Sequence, residues 1–478
     1  MIEQVREEEI ITREEGYCGC LPHKFRYILL IVTLLCLTSI SSNMFTLNFT
    51  LICMAPTSNV SQEVSQLHQK TYAYDHTEKS WLMWAVAIGS LVGTFPFSWA
   101  YGHFGARWVF FVAGIISALS TGVIPFAADW GIWPFTAARF VQGIAYAADF
   151  AAIGVLTSHW ASLKQHAFFI SVLTCYSPLS LTITNPIAGW MCNTEWLGWP
   201  IVYYSHAIAG ILLFVIWVFL YSDFPDMHRR VSIVELEKIH RNKTRSHIEP
   251  GGTVPYAAIC KNFNIIASWL SAFATLLSAI FMHLYLPIYI HRVLNFSIVE
   301  TGLLAAIPTF SYIPLKLIFG TLSDKIKGID ETTKVCIFNT IALVGPALCY
   351  IALAFVPQTH PWWGLALLIL IHMLYAASGG GFYKCLTLSS RQFSHFVIAT
   401  VQFFKCISLF LAPALVWFFV DIEESRTEWR TIFFILAFFL IVSAAIFWKA
   451  ADTQPAHFTK VAPKRSSVSV VPRKDSRY

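Results

Sequence analysis

Apolar residues along the chain gather in stretches of about 20, separated by shorter polar segments. An α-helix rises 1.5 Å per residue, so each stretch is long enough to cross the roughly 30 Å hydrocarbon core of a membrane. The pattern therefore predicts an all-α polytopic membrane protein with twelve transmembrane helices. The predicted spans are 27–53, 81–101, 108–127, 135–157, 167–190, 201–221, 265–290, 301–320, 335–356, 362–384, 396–420 and 430–449.

The longest polar interruption, residues 222–264, follows the sixth span and divides the chain into two sets of six. We expect two six-helix bundles, 27–221 and 265–449, joined by a cytoplasmic loop. Residues 1–26 are predicted to be a cytoplasmic segment. Residues 450–478, basic and rich in Ser and Pro, are predicted to be a disordered cytoplasmic tail.

Composition agrees with a membrane protein, because charged residues make up only 13% of the 478, against about 25% in soluble domains. The net charge of +6 does not indicate nucleic-acid binding, since the basic residues lie between spans and in the tail. The dipeptide Gly-Lys is absent, which excludes the common phosphate-binding loop of ATP-driven pumps. No cofactor and no metal site is predicted.

Lys and Arg near span ends are retained in the cytoplasm. With both termini inside, about 25 of the 33 basic residues fall on the cytoplasmic side, which favours this orientation. We expect a multi-pass monomer of the plasma membrane or of an acidic organelle. Asn59, in the sequon Asn59-Val60-Ser61, would then be an external glycosylation site.

The eleven cysteines mostly fall inside apolar segments, where a thiol behaves as a small hydrophobe. No disulfide framework is predicted. Cys53 and Cys192 both fall near the non-cytoplasmic surface and could pair.

A charged residue in the middle of a span is costly, so it usually faces the bundle interior or an aqueous cavity. In the fourth span, Arg139, Gln142, Tyr146 and Asp149 are spaced three, four and three, which puts them on one helical face. We expect that face to look into the bundle. The alternative is that Arg139 and Asp149 only stabilise packing.

Polar stripes of this kind also occur in the first and seventh spans. They are Ser39, Asn43, Thr46 and Thr50 in the first, and Ser271, Thr275, Ser278, Tyr285 and Tyr289 in the seventh. Such residues either line a solvated path or hydrogen-bond neighbouring helices.

Single ionisable residues in three C-terminal spans give further candidates. Lys405, with Gln402 one turn away, lies deep in the eleventh span and is a candidate for substrate contact. Lys316 is near a span end and is expected to snorkel to the surface. His372 either carries protons or is a packed, hydrogen-bonded histidine. Three basic residues against one acid inside the spans suggest an anionic substrate.

After the eighth span the chain reads Gly320-Thr321-Leu322-Ser323-Asp324-Lys325, which resembles the cytoplasmic loop signature of the major facilitator superfamily. After the second span, Phe104-Gly105-Ala106-Arg107 resembles the end of the same signature. There Ser98, Gly102 and His103 stand where Gly, Asp and Arg are expected. The resemblance implies gating loops at Gly320, Asp324, Lys325, Gly105 and Arg107.

A narrower resemblance is to the anion transporters that include sialin, the vesicular glutamate transporters and the type I sodium/phosphate cotransporters. It rests on Arg139-Phe140-Val141-Gln142-Gly143, Gly198-Trp199-Pro200-Ile201-Val202-Tyr203-Tyr204, Asp223-Phe224-Pro225-Asp226-Met227-His228, Leu286-Pro287-Ile288-Tyr289 and Val293-Leu294-Asn295-Phe296.

This resemblance implies that Arg139 contacts a substrate anion. The family's acidic coupling residue is Tyr146 here, its first-span arginine is Thr46, and Asp149 is a candidate replacement for the acid. The predicted substrate-binding residues are Arg139, Lys405, Thr46, Asn43, Gln142 and Tyr146, and the predicted ion-coupling residues are Asp149 and His372.

The chain is therefore interpreted as a secondary active transporter of a small organic anion or phosphate, coupled to H⁺ or Na⁺ through alternating access. One alternative is a facilitator-like receptor or scaffold that does not transport. Another is a membrane-embedded acyltransferase, although no clustered catalytic set supports an enzyme.

Overall fold

The computed structural model describes residues 24–55, 71–162, 165–194, 196–228, 230–240, 255–357 and 359–460. Within them, twelve helical segments are long and apolar enough to cross a membrane, which confirms the predicted fold class. The helices are α1 Phe25–Met54, α2 His76–Phe104, α3 Ala106–Trp130, α4 Ile132–Tyr146, α5 Asp149–Trp160, α6 His166–Leu173, α7 Tyr176–Asn193, α8 Gly198–Leu220, α9 Ile233–His240, α10 Tyr256–Cys260, α11 Phe263–Ile288, α12 Ile298–Lys325, α13 Glu331–Phe355, α14 Pro361–Tyr375, α15 Phe382–Ser390, α16 Ser394–Phe419 and α17 Arg426–Ala450.

Eight of the twelve spans are single α-helices, span 7 continues from α11 into a π-helical turn at Tyr289–Val293, and three spans are built from two α-helices. Helices α4 and α5 form span 4, α6 and α7 form span 5, and α14 and α15 form span 10. Spans 1–6, here called the N-half, pack on one another, and spans 7–12, the C-half, do the same. The halves meet mainly where span 5 packs on span 8 and span 2 packs on span 11. We call the end at Lys24 the inner side, predicted to be cytoplasmic, and the opposite end the outer side.

The breaks in spans 4, 5 and 10 were not predicted. Span 4 is interrupted at Ala147–Ala148 and span 5 at Thr174–Cys175, while a 3₁₀ turn at Ala376–Gly380 interrupts span 10. Backbone groups freed inside a membrane need other partners. At the break in span 4, the Ala148 carbonyl accepts both from the Ala152 N–H at 3.1 Å and from the Tyr101 hydroxyl at 3.2 Å. Hydropathy does not locate such breaks, because each broken segment is still apolar and long enough to cross a membrane as one span.

Two carboxylates from the segment after span 6 cap helices of the N-half. Asp223 accepts hydrogen bonds from the backbone N–H groups of Ala106 and Arg107 at 2.6 and 3.1 Å. Glu235 accepts from Phe25 and Arg26 at 3.1 and 2.9 Å. Negative charge at these helix N-termini is stabilising. The first part of the predicted central loop is therefore docked on the N-half.

The same segment carries His228, whose ring stacks on Phe25 with centroids 4.4 Å apart. Burial lowers the pKa of His228, and its Nε2 lies 3.1 Å from the Leu220 carbonyl. The neutral ring therefore serves as a packing element beneath span 1.

Cys53 and Cys192 form a disulfide, with Cα atoms 6.1 Å apart. The pairing that the sequence left open is therefore the one formed. Spans 1 and 5 pack side by side, so their outer ends meet although 139 residues separate the cysteines. Disulfides form in oxidising compartments, which supports the predicted orientation of this end.

Candidate functional site

Arg139 lies in the interior of the N-half, with 1% of its side chain exposed. Its Nη1 donates to the Met44 carbonyl at 2.9 Å and to Gln142 Oε1 at 2.7 Å. Its Nε donates to the Leu82 carbonyl at 3.3 Å. The guanidinium therefore ties together spans 1, 2 and 4.

Gln142 extends these contacts into a polar network. Its Nε2 donates to Thr121 Oγ1 at 2.6 Å and to the Asn43 carbonyl at 3.3 Å. Asn43 Nδ2 in turn donates to Ser117 Oγ at 2.9 Å. We call this set the Arg139 network: Asn43, Ser117, Thr121, Arg139 and Gln142. Its members all belong to the N-half.

Thr46, where the resembling family carries an arginine, is fully buried. Its hydroxyl donates to the Ser42 carbonyl of its own helix at 2.7 Å. This is an ordinary internal bond of a threonine in a membrane helix.

A second polar group lies where the halves meet. Lys405 of span 11 donates from Nζ to the Tyr176 hydroxyl of span 5 at 2.5 Å, and Nζ lies 4.1 Å from the centre of the Tyr146 ring of span 4. Asp149, at the start of α5, is fully buried and interacts electrostatically with Lys405 and Tyr176. We call Tyr146, Asp149, Tyr176 and Lys405 the central cluster.

The Asp149 carboxylate lacks ordinary hydrogen bonds. The Tyr176 hydroxyl is the polar neighbour of the carboxylate, and neither oxygen makes a hydrogen bond of 3.5 Å or less within the described residues. A buried carboxylate in this situation is costly unless it is balanced by charge or takes up a proton. The break at Ala147–Ala148 places Asp149 beside a lysine of the opposite half, so charge balance here depends on how the halves are arranged.

His372 of span 10 faces His283 of span 7, with ring centres 6.1 Å apart. The Nδ1 atom of His372 lies 3.0 Å from the Leu368 carbonyl, so it carries the proton and Nε2 keeps its lone pair. Within the described residues Nε2 has no hydrogen-bond partner. His283 Nδ1 lies 3.5 Å from Ser177 Oγ of span 5, so this pair also lies where the halves meet.

The halves are held together on the outer side. Lys79 at the start of span 2 pairs with Glu423 at 2.6 Å, and Arg292 lies 3.6 Å from Glu423 and 3.4 Å from Glu424. Below them, Trp84 Nε1 donates to the Phe410 carbonyl at 3.0 Å. The described structure is therefore closed towards the outer side.

Known proteins show the same architecture. A family model described as Major Facilitator Superfamily matches residues 29–413. The chain belongs to the major facilitator superfamily. Facilitator folds solved by crystallography include the inward-open xylose transporter XylE from E. coli, with a TM-score of 0.64 and 13% identity over 92% of this chain and 98% of that one. A bacterial homologue of the human lysosomal transporter Spinster, in an inward-facing and unoccupied conformation, has a TM-score of 0.62 and 13% identity over 90% of this chain and 98% of that one.

Relatives in sequence confirm the narrower resemblance to sialin and to sodium/phosphate transport proteins. Sialin of Homo sapiens is 23% identical over 79% of this chain and 76% of its own length. Sodium-dependent phosphate transport protein 3 of Mus musculus is 23% identical over 80% of each chain. A probable small intestine urate exporter of Mus musculus is 25% identical over 90% of this chain and 92% of its own. Since this family consists of transporters, the chain is a transporter, and the acyltransferase alternative is set aside.

The first gating loop of this facilitator is anchored inside the N-half. Gly105 has φ of +77°, a conformation that favours glycine, and leads directly into α3. Arg107 Nε donates to the Val218 carbonyl of span 6 at 3.0 Å. Both residues connect spans 2, 3 and 6, and their role in gating stays a prediction.

The second gating loop is helical rather than irregular. Gly320, Asp324 and Lys325 all belong to the last turns of α12, and the space beside Gly320 is open. Nearby, Lys384 Nζ lies 3.3 Å from both Ser323 Oγ and a carboxylate oxygen of Glu331. The second loop therefore lies against spans 9 and 10 of its own half. Asn59, the predicted glycosylation site, lies outside the described residues.

Lys316 does not snorkel, contrary to the sequence-based expectation. Its Nζ donates to Thr174 Oγ1 of span 5 at 2.6 Å and lies 5.6 Å from the centre of the Tyr312 ring. Helix α12 continues to Lys325, five residues beyond the predicted end of span 8 at 320, so Lys316 lies more than two turns from the helix end. The contact joins the two halves.

Sequence reasoning also missed Tyr176 and His283 as candidate site residues. An ionisable residue in the middle of an apolar span is a candidate functional residue, so His283 could have been identified from the sequence. Tyr176 gave none, because its importance comes from the break at Thr174–Cys175 that turns it towards Lys405.

The outer ion pair gives a first testable expectation. An exposed pair contributes about 0.2–1 kcal/mol, so Lys79→Glu is expected to shift the balance towards an outward-open state by roughly threefold. Cys406 of span 11 is buried against span 2, with Sγ 3.5 Å from Ser90 Oγ, so its labelling by an impermeant maleimide reports opening.

We expect faster labelling in Lys79→Glu, measured in a protein whose only free cysteine is Cys406. The charge swap Lys79→Glu with Glu423→Lys should restore the slow rate, and equal rates in all three proteins would contradict a gating role.

Proposed function

We propose that this facilitator is a secondary active transporter that moves a small organic anion or phosphate, coupled to H⁺ or Na⁺, by alternating access. The observation that carries the proposal is the central cluster, in which a buried lysine of one half meets a buried carboxylate of the other. Charges in the middle of a membrane mark substrate and ion pathways. A site between two rocking halves is also where alternating access requires it.

An anionic substrate follows from the balance of charge. Arg139 and Lys405 are buried in the described spans, Lys316 is partly buried in span 8, and Asp149 is the acidic residue that lies near Lys405. Such a surplus of positive charge attracts an anion. The names of two relatives refer to phosphate and urate, which agrees with transport of an anion.

Within the proposal, Lys405 and Tyr146 contact the substrate. Both belong to the central cluster, and the ammonium lies above the aromatic ring. Arg139, Gln142, Asn43 and Thr46 are positioning residues, because the polar atoms described above are already bonded to protein partners within the N-half. Their hydrogen bonds fix the packing of the N-half spans that lie next to the central cluster.

Asp149 is the proposed ion-coupling residue, and H⁺ is the ion that its surroundings favour. Na⁺ and H⁺ both add one positive charge, but a bound Na⁺ would remain a separate cation beside the Lys405 ammonium, whereas a proton bonds to the carboxylate and leaves a neutral carboxyl group there. The groups facing Asp149 are Lys405, Tyr176, Tyr146 and Tyr101. His372, with a free Nε2 lone pair, is proposed as a secondary proton acceptor on the C-half.

The proposal is tested with purified full-length protein in liposomes, offered organic anions, phosphate and neutral solutes under an H⁺ or an Na⁺ gradient. Removing a hydrogen bond to a charged group costs about 1.5–3 kcal/mol, so Lys405→Gln is expected to lower kcat/KM for the anion by roughly 30-fold. Lys449→Gln, at the exposed end of span 12, is the matched control and should transport normally.

Two outcomes would count against the proposal. If no anion moved under either gradient, transport of an anion would be refuted. If anions raised the melting temperature of the protein without any flux, the receptor alternative would be favoured instead.

A further inference from the structure

Two lysines of the C-half bind hydroxyl groups on either side of the break in span 5. Lys405 Nζ donates to the Tyr176 hydroxyl at 2.5 Å, and Lys316 Nζ donates to Thr174 Oγ1 at 2.6 Å. Tyr176 begins α7 and Thr174 follows the end of α6, so the two acceptors flank a single interruption. Two ammonium groups from spans 8 and 11 therefore converge on one place in the N-half.

The two lysines differ in their counter-charges. Lys405 has the Asp149 carboxylate close by. For Lys316, no Asp or Glu among the described residues lies within ion-pair distance, and its contacts are a neutral hydroxyl and the face of the Tyr312 ring. Lys316 is only partly buried, and its cation–π contact contributes about 0.5–2 kcal/mol. No carboxylate among the described residues pairs with its charge.

We propose that Lys316 is a second anion contact and that the substrate is a small dianion whose two negative groups replace the Thr174 and Tyr176 hydroxyls on Lys316 and Lys405. This inference rests on the proposed function. It adds a residue to the site and restricts the substrate to molecules with two negative charges.

In the proton-loaded site that the proposed H⁺ coupling requires, charge balance favours a dianion over a monoanion. Lys316 and Lys405 contribute +2 and ionised Asp149 contributes −1, so the empty site carries +1. When Asp149 is protonated, the lysines are balanced to zero by a dianion, whereas a monoanion leaves +1. Enclosing a loaded site in the low-dielectric interior, as the halves rock, costs less free energy when the site has no net charge.

Both contacts also join opposite halves, so they must break and reform in the transport cycle. The hydroxyls of Thr174 and Tyr176 hold the ammonium groups in the empty site, and substrate oxygens take their place. Anionic oxygens are stronger acceptors than neutral hydroxyls.

The test compares succinate with its monomethyl ester, a pair of nearly equal size that carries two charges and one charge. Binding to the purified full-length protein is followed by the rise in melting temperature, and transport by uptake into liposomes. Phenyl phosphate, as a dianion at alkaline pH, serves as a second source of the same charge. We expect the wild type to bind both dianions about tenfold more tightly than the ester.

Lys316→Gln is expected to abolish that tenfold preference while leaving the affinity for the ester unchanged. Lys449→Gln should keep the preference. Because Lys316→Gln alters a contact between the halves, Lys316→Arg and Thr174→Val provide a second line of evidence: both keep the positive charge and should keep a preference for dianions.

Several results would overturn the inference. It fails if Lys316→Gln keeps the dianion preference, or if the variant loses affinity for the dianion and the ester equally. It also fails if Lys316→Arg loses the preference while remaining folded. Absence of binding and uptake of every anion by the wild type would instead refute the proposed function itself.

Discussion

Asp149→Asn is expected to abolish ion-driven accumulation of the substrate while substrate exchange across the membrane continues. Asparagine has nearly the same shape as a protonated aspartate but cannot release a proton. The variant therefore stays in the neutral form of the central cluster, in which the Lys405 ammonium is balanced by substrate. Exchange of substrate needs only this form, whereas net uptake needs Asp149 to ionise on one side.

The size of the effect follows from the gradient. A difference of two pH units stores about 2.7 kcal/mol per proton, which sustains a roughly hundredfold accumulation if one proton accompanies each substrate. The variant should bring the internal and external concentrations to equality. Uptake with and without the pH gradient, together with counterflow from preloaded liposomes, measures the two activities separately.

Asp330→Asn provides the matched control for Asp149→Asn. Asp330 caps α13, where its Oδ2 accepts from the Thr332 N–H at 3.0 Å, and asparagine is an equally good cap. This control should accumulate substrate like the wild type. Full accumulation by Asp149→Asn, or a loss of counterflow together with accumulation, would show that Asp149 is not the coupling group.

Arg139→Ala is expected to destabilise the whole N-half rather than to weaken anion binding alone. The change removes three hydrogen bonds made by a charged group, to Met44, Leu82 and Gln142. Hydrogen bonds of this kind contribute about 1.5–3 kcal/mol each, and buried acceptors left without donors add to the loss. We expect the free energy of unfolding to fall by about 4 kcal/mol or more.

The measurement is the melting temperature and the folded yield of the purified variant in detergent. Arg430→Ala is the control, because Arg430 also donates from Nε to a backbone carbonyl, that of Ala354 at 3.0 Å, but lies near the outer end of span 12. Its loss should be about 1 kcal/mol. Arg139→Lys should recover part of the stability, since lysine keeps the charge but not the planar arrangement of donors.

An Arg139→Ala protein that melts like the wild type and loses only anion affinity would contradict the positioning role. It would instead support the role implied by the family resemblance, in which Arg139 contacts the substrate directly.

The sequence was most informative where a single physical rule applies along the chain. Hydrophobic length alone predicted the twelve spans, because backbone groups in a membrane must be satisfied within helices. The spacing of Arg139, Gln142, Tyr146 and Asp149 predicted that all four are buried, and they are. Loop and span motifs predicted the superfamily, which the match over residues 29–413 confirms.

The sequence was least informative where two distant segments meet. Lys316 was expected at the surface because the end of span 8 was placed too early, and the hydroxyl of Thr174 that it binds is 142 residues away. The disulfide between Cys53 and Cys192 was left as one open pairing for the same reason. Tyr176 became a site residue only through a break in span 5 whose position hydropathy does not give.

By itself, then, the sequence determined twelve spans and membership of the superfamily, because hydrophobic length and short motifs are properties of contiguous residues. Only the tertiary structure decided which charges meet. It placed Arg139 among carbonyls of its own half, and it brought Lys405 to Asp149 and Lys316 to Thr174 across the boundary between the halves. The physical reason is that the packing of span 5 on span 8 and of span 2 on span 11, not the order of residues, determines the neighbours of a charge inside the membrane.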